Sequence, residues 1–435
     1  MMKKRAGWVA ALSMAVAIAA TGCASDNKPD TGAAGAPKQD TVTLKFMQNT
    51  ASGSQEQTLA DMIKAFETAN PDIKVKVDIV DYNNYYTKLN TQLASGEAPD
   101  VFEVGYEHFV SYAAKNTLKD LTPIIAKDAS FKPDIYKGLA YDAFKYNNKQ
   151  YGVVESFSDV VLFYNKDLFD KKQVAYPQAN WTWKQELEAA QKLTDAKSGV
   201  WGTYSPIQFY EFYKTIAQNG GSIWDASGKP TVNSKENIEA LNWMLDKARV
   251  HKVSPPLNDD TFNQPDADLN AFKSGKIAML RAGIWNFGRF ADAPFKWDIA
   301  LEPGNMKKAH HFFADGLVVS EKTKNAEAAW KFLKFMSSDP AVVSKRIEKG
   351  WSVPPVSDEK VMDAFFKQTP PESKKVVMEA LNTLVLPPVG PIPDKWNDLT
   401  KAVGDELDKA RLKQDYTAEK ALNEAQAKLE KLAAK

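Results

Sequence analysis

Between Thr41 and Val104 the apolar residues switch repeatedly between a strand period and a helix period, and this alternation constrains the fold more than any other feature of the chain. Thr43, Leu44 and Phe46 open a strand that ends at Asn49-Thr50. A helix follows: Ser54 and Gln57 have capping-box spacing, and Leu59, Met62, Ile63 and Phe66 recur on one helical face until Asn70-Pro71 stops it. Ile73, Val75, Val77 and Ile79 then alternate as a half-buried or edge strand. Tyr85, Leu89 and Leu93 mark a second helix closed by Ser95-Gly96, and Asp100–Val104 is a third strand. Strands and helices in this order indicate βαβ units and a mainly parallel sheet with right-handed crossovers, the signature of an α/β protein.

In such a fold, ligands bind in the crevice beyond the carboxyl ends of the strands, so the strand exits are the places to search. The exit Asn49–Ser54 offers Ser52, and the loop Gly105–His108 offers Tyr106, Glu107 and His108. A third exit lies in Ala271–Phe290, where Ser274-Gly275 is a turn, Lys276–Leu280 reads as a short strand and Gly283 opens an aromatic-rich turn. Trp285 and Phe287 therefore emerge just past a strand end, as a flat apolar platform or as core. Arg281 and Asn286 flank that platform; a surface ion pair and a turn are their structural alternatives. Tyr151–Glu155 and Val160–Tyr164 read as strands around Ser156–Asp159, and Thr182 starts a helix in which Trp181 and Trp183 serve packing and capping.

The 435 residues suffice for about two or three domains with sizeable cores. Lys+Arg and Asp+Glu nearly cancel (56 against 55), so no global field gathers nucleic acid. The single cysteine, Cys23, excludes an intramolecular disulfide, and four histidines, of which only His310 and His311 are adjacent, argue against a metal centre or a metal cofactor. Lys3-Lys4-Arg5 ahead of the apolar run Gly7–Ala20 has the form of a secretory signal over residues 1–22, too short for a comfortable membrane span. Ala20-Thr21-Gly22-Cys23 resembles a bacterial lipobox with Ala where Leu is usual, which makes Cys23 the lipidated first mature residue. Residues 24–40 are small, polar and interrupted by Pro and Gly, a tether, so the folded protein begins near Thr41 outside the cytoplasmic membrane.

The ordered set FETANPDIKVKV, LASGEAPDVFEV, YGVV…VLFYNKDLF, AFKSGKIAM…GIWNF, AAWKFLKFMSSDP and KWNDLTKAVGDEL resembles the extracellular solute-binding lipoproteins of bacterial ABC importers, in the carbohydrate-binding family similar to maltose-binding protein. The resemblance implies a two-lobed periplasmic-binding-protein-like α/β fold with the ligand cleft between lobes that close over it. It implies residues 41–156 and 313–354 in one lobe, 157–312 and 355–435 in the other, a monomer anchored through Cys23, and an ABC permease with its ATPase as partner. Carried over residue by residue, it implies sugar contacts at Glu107 and His108, at Ser158 or Asp159 in the first crossover, and at Gln208 and Tyr210 from the second lobe. Trp285 and Trp396 match stacking aromatics; Asp315 in a second crossover loop and Trp351 in Gly350–Val356 are further candidates. An aromatic ring suits the C–H face of a pyranose, while its hydroxyl rim wants carboxylates and amides. Two other readings keep these residues: a secreted glycoside hydrolase using Glu107 and Asp159 as its paired carboxylates, and a receptor for a non-sugar solute such as a polyol phosphate or an amino acid derivative.

Overall fold

The computed structural model describes residues 41–434 apart from 51–54, 137–139, 349–352, 354 and 357. Cys23, Ser52 and Trp351, with the signal and tether segments, lie outside the described residues. The strands that carry the two larger sheets are β1 (Val42–Thr50), β2 (Ile73–Asp81), β3 (Val101–Gly105), β4 (Gly152–Ser158), β5 (Val160–Asn165), β6 (Met279–Gly283), β7 (Trp297–Ala300) and β8 (Phe313–Val319). The helices used below are α1 (Gln55–Ala69), α2 (Tyr82–Ser95), α3 (Tyr106–Ala114), α4 (Trp183–Leu193), α5 (Phe209–Gln218), α6 (Lys235–Arg249), α7 (Ala326–Ser338), α8 (Trp396–Leu412) and α9 (Ala418–Ala433).

The first sheet has the order β2-β1-β3-β8-β4. β1 pairs in parallel with β2 along its whole length and with β3 at Phe46 and Met47, as the βαβ alternation requires. The helix faces are those the spacing predicts: Leu59, Met62, Ile63 and Phe66 of α1 are buried, and the Phe332 ring of α7 meets Phe46 and Phe66 edge-on at 5.0 Å each. Gly96 ends α2 in the left-handed region at φ 77°. The expectation of a mainly parallel sheet fails at β8, which is antiparallel to both β3 and β4. The reason is connectivity: β8 enters the sheet on its return from the second sheet, without the helical crossover that a parallel partner needs.

The second sheet, β6-β5-β7, is antiparallel throughout. Its strand β6 runs over Met279–Gly283, three residues later than the apolar pattern of Lys276–Leu280 suggests. Ile277 makes only an isolated bridge to Trp201, and continuous pairing with β5 includes the charged Arg281, which the sequence pattern places past the end of the strand. Helices pack beside it. The Trp183 ring stacks on Trp243 at 5.1 Å and its Nε1 donates to Gln218 Oε1 at 3.0 Å, the packing role expected of it. Thr182 closes a capping box with Gln185. The α8 and α9 stripes, from Leu399 to Leu429, join α5 and α6 in one apolar cluster.

The chain passes between the sheets in almost unbroken extended backbone. β4 ends at Ser158, β5 starts at Val160, and only Asp159 lies between them. It returns through His310 and His311 into β8, whose Phe313 pairs with Ser158 of β4, so the outgoing and returning chains run side by side along one seam.

Candidate functional site

A cavity of about 780 Å³ opens along that seam, lined from both sheets. This falls within the range of small-molecule sites, about 300–1,000 Å³. Its first wall comes from β3, α3 and β8. Glu107 does not sit in a loop: α3 begins at Tyr106, and Glu107 in its first turn is 5 % exposed. Burial pushes its carboxyl up to about 7, and Asp315 nearby adds to the rise. The Tyr210 hydroxyl, on α5 from the opposite wall, hydrogen-bonds to it. Asp315 lies within β8 and not in a crossover loop, paired in register with Gly105 and Ser156. It lines the cavity, and burial raises its carboxyl to about 6. Glu103 accepts from the Asn49 amide nitrogens, main-chain at 3.1 Å and side-chain at 2.7 Å, and burial with the neighbouring Asp315 raises its pKa.

The second wall is aromatic and polar. Gly283 ends β6, and Trp285, 41 % exposed, stands over the cavity with its ring edge-on to Phe313 at 5.8 Å. Glycine at 283 leaves room for the indole where it stands: a Cβ there would lie 2.1 Å from Trp285 Cη2, and the ring would have to shift. Asn286 is buried and donates to the Gly283 carbonyl at 3.1 Å. Gln208, at the N-cap of α5, and Ser158, at the end of β4, also line the cavity.

Arg281 is not a surface residue. Its guanidinium grips Glu186 with bonds of 2.8 and 2.6 Å and reaches Glu302 at 2.9 Å. Lys214 bridges Glu302 and Glu211, and Lys247 donates to Ser205 at 2.7 Å. Burial alone would raise Glu186, but Arg281 and Lys247 pull it down to about 2. This network underlies β6 and α5 together, and so sets Trp285 and Tyr210 relative to each other.

Three residues expected as contacts lie off the lining of this cavity. Trp396 is 1 % exposed in the helical core, edge-on to Phe209 at 5.6 Å, because the first turn of α8 packs inward against α5. Asp159 is 0 % exposed and off the cavity lining; both its oxygens lack hydrogen-bond partners, and burial raises its pKa. Of the Ser158 and Asp159 pair, the serine faces the cavity. His108 is not on the lining but stacks flat at 3.7 Å on Tyr86, which is. Its imidazole is held down to about 4 by burial.

Sequence reasoning missed Tyr82, Tyr86, His311 and Phe313, all of which line the cavity. The run Tyr82-Asn83-Asn84-Tyr85-Tyr86 directly after β2 carried a signal, since strand exits face the crevice; only Tyr85 was read there, as core, which it is. His311 and Phe313 had none, because they reach the site through the return of the chain.

Residues 51–343 match the model of the family described as bacterial extracellular solute-binding protein. The arabinooligosaccharide-binding protein of Bacillus subtilis is 27 % identical over 364 residues, 81 % of this chain and 79 % of that one. The diacetylchitobiose binding protein of Streptomyces coelicolor is 27 % identical over 359 residues, 78 % of this chain and 79 % of that one. Among solved structures, an ABC substrate-binding protein from Listeria monocytogenes in complex with cycloalternan superposes with a TM-score of 0.85 at 46 % identity, over 91 % of this chain and 100 % of that one. The maltose-bound MalE3 of T. maritima, at 21 % identity and a TM-score of 0.75 over 90 % of this chain and all of that one, shares the fold. With the family model covering most of the chain and the two-sheet architecture matching along its length, this protein is a member of the bacterial extracellular solute-binding protein family.

Proposed function

We propose that this protein captures an oligosaccharide in the cavity along the seam, closes its two lobes over it and delivers it to an ABC importer. The observation that carries the reading is the half-exposed Trp285 standing over a roomy cavity opposite Glu107 and Asp315, an apolar platform facing carboxylates. That pairing suits a sugar, whose ring face is apolar and whose rim carries hydroxyl donors. The Listeria neighbour solved with a saccharide supports it at 46 % identity. Ser158, Gln208 and Tyr210 complete the contacts in this reading. The lobes move about the Ser158–Val160 crossover and the return through His311, a hinge motion of the kind that shields a polar ligand from water.

The protein acts outside the cytoplasmic membrane as a lipid-anchored monomer, held through Cys23 and the tether 24–40. It binds and does not cleave. The burial of Asp159 off the cavity supports this, since the hydrolase reading needs it beside Glu107 at the glycosidic bond.

A thermal-shift screen of the purified protein against mono- and oligosaccharides, polyols and amino acids, with product analysis of each hit, tests the reading. Ligand at about 100 times its dissociation constant adds about 2.7 kcal/mol to stability. The expected result is a clear shift with a saccharide series that is recovered intact. Cleavage of the sugar, or shifts confined to non-sugar solutes, would overturn it.

A further inference from the structure

The charged groups of the cavity are mostly acceptors. Seven carboxylate residues line it against two arginines; both arginines are ion-paired, with Arg346 Nε alone left without a partner. Arg346 pairs with Glu155, and Arg281 with Glu186 and Glu302. Asp266 is matched by Arg289 and Glu211 by Lys214. That leaves Glu103, Glu107, Asp268 and Asp315 without an ion pair among the described residues.

Neutral lining groups add to the same surplus. His311 Nε2 lies 2.7 Å from the Tyr210 carbonyl, so that nitrogen carries the hydrogen and Nδ1 is left as a bare acceptor. The Nδ1 atom has no partner, in a side chain 2 % exposed on the cavity lining. Gln48 Oε1, also buried on the lining, has none either. A buried acceptor left without a donor is costly, so the occupant that completes this site must bring hydrogens. A sugar hydroxyl does so. A carboxylate, phosphate or sulfate group brings more acceptors and a charge of the sign the cavity already holds.

We infer that the site selects uncharged saccharides and excludes their anionic forms, uronates and sugar phosphates among them, with Glu107, Asp315 and His311 as the discriminating residues. This rests on the oligosaccharide reading above and narrows it, and it separates the protein from a receptor for polyol phosphates or for the carboxylate of an amino acid. The discrimination works by repulsion and by unpaired acceptors. Such terms set specificity more strongly than they set affinity for the right ligand.

The test uses matched sugars. Malto-, isomalto-, arabino-, chito- and manno-oligosaccharides and cycloalternan are titrated calorimetrically at pH 7.5. Each member that has primary hydroxymethyl groups is also presented oxidised at C6 to the carboxylate, and as the methyl ester of that acid. For every uncharged sugar that binds, the acid should bind at least about tenfold more weakly, and the ester, larger but uncharged, should recover most of the loss. Glu107→Gln and Asp315→Asn should each narrow the gap between sugar and acid, a change in selectivity that general loss of structure does not produce. An acid that binds as well as its parent, or an ester as poor as the acid, overturns the inference and leaves oligosaccharide capture standing. Binding by no saccharide at all overturns both.

Discussion

Replacing Glu107 by Gln tests the electrostatics of the cavity before any ligand is known. The folded protein raises this carboxyl from 4.5 to about 7, first by burial and then by Asp315. A raised carboxyl means that the folded state holds a proton the unfolded chain has lost. Its contribution is therefore complete below pH 4.5 and disappears as pH rises through 7. At about 1.4 kcal/mol for each pH unit, the loss reaches about 3 kcal/mol. The groups that face Glu107 are Asp315 on β8, Tyr210 and Tyr213 on α5, and Tyr82 and Tyr86 on α2. Asp315, raised to about 6, adds a loss of the same sign. His108 and His310, lowered by burial to about 4 and about 3, act oppositely, because the unfolded chain keeps their protons longer and stability grows as pH rises toward 6.5. The total profile is thus partly cancelled, and only the difference between the protein and Glu107→Gln isolates this group. Urea denaturation of both, without ligand, at pH 4.5, 5.5, 6.5 and 7.5 should show the wild-type advantage shrinking by up to about 3 kcal/mol across the series. A constant difference, or one that grows with pH, would refute the reasoning.

Trp285→Ala should weaken saccharide binding by roughly 1–3 kcal/mol with the melting temperature nearly unchanged, because the indole is already half exposed; calorimetry with the bound sugar checks it. Gly283→Ala should do similar damage with the indole still present, since a Cβ at 283 displaces the ring, and near-ultraviolet dichroism should report the reorientation. Trp396→Ala should instead cost about 3–5 kcal/mol of stability, measured by denaturation, and leave the affinity of the surviving folded protein intact. Arg281→Ala, which strands Glu186 and Glu302 in the interior, should cost about 3–5 kcal/mol and should lower affinity too, because the same network holds β6 and α5.

Local period was enough to read most elements. The faces of α1 and α2 follow from which residues recur every third or fourth position, and the start of α4 is marked by Thr182. Such features are settled within one or two turns of chain, so the sequence carries them in full. Trp285 at a strand exit was legible for the same reason: Gly283 ends a strand, and strand ends face the crevice.

What the sequence by itself determined, then, is the α/β class, the helical stripes and the aromatic and acidic candidates at the strand exits. What only the tertiary structure decided is which way each candidate points and what stands opposite it. Trp285 and Trp396 are equally good platforms as residues; one follows a strand end that opens on the cavity, and the other begins a helix whose first turn packs inward. Ser158 and Asp159 are adjacent, and the pleat of extended backbone sends one to the cavity and the other into the interior. Arg281 looks like a surface charge until Glu186, 95 residues earlier, and Glu302, 21 residues later, close around it. The antiparallel return of β8 brings Asp315 to Glu103 and Glu107. Pairings over such separations depend on how the whole chain is threaded, and no local pattern of residues records them.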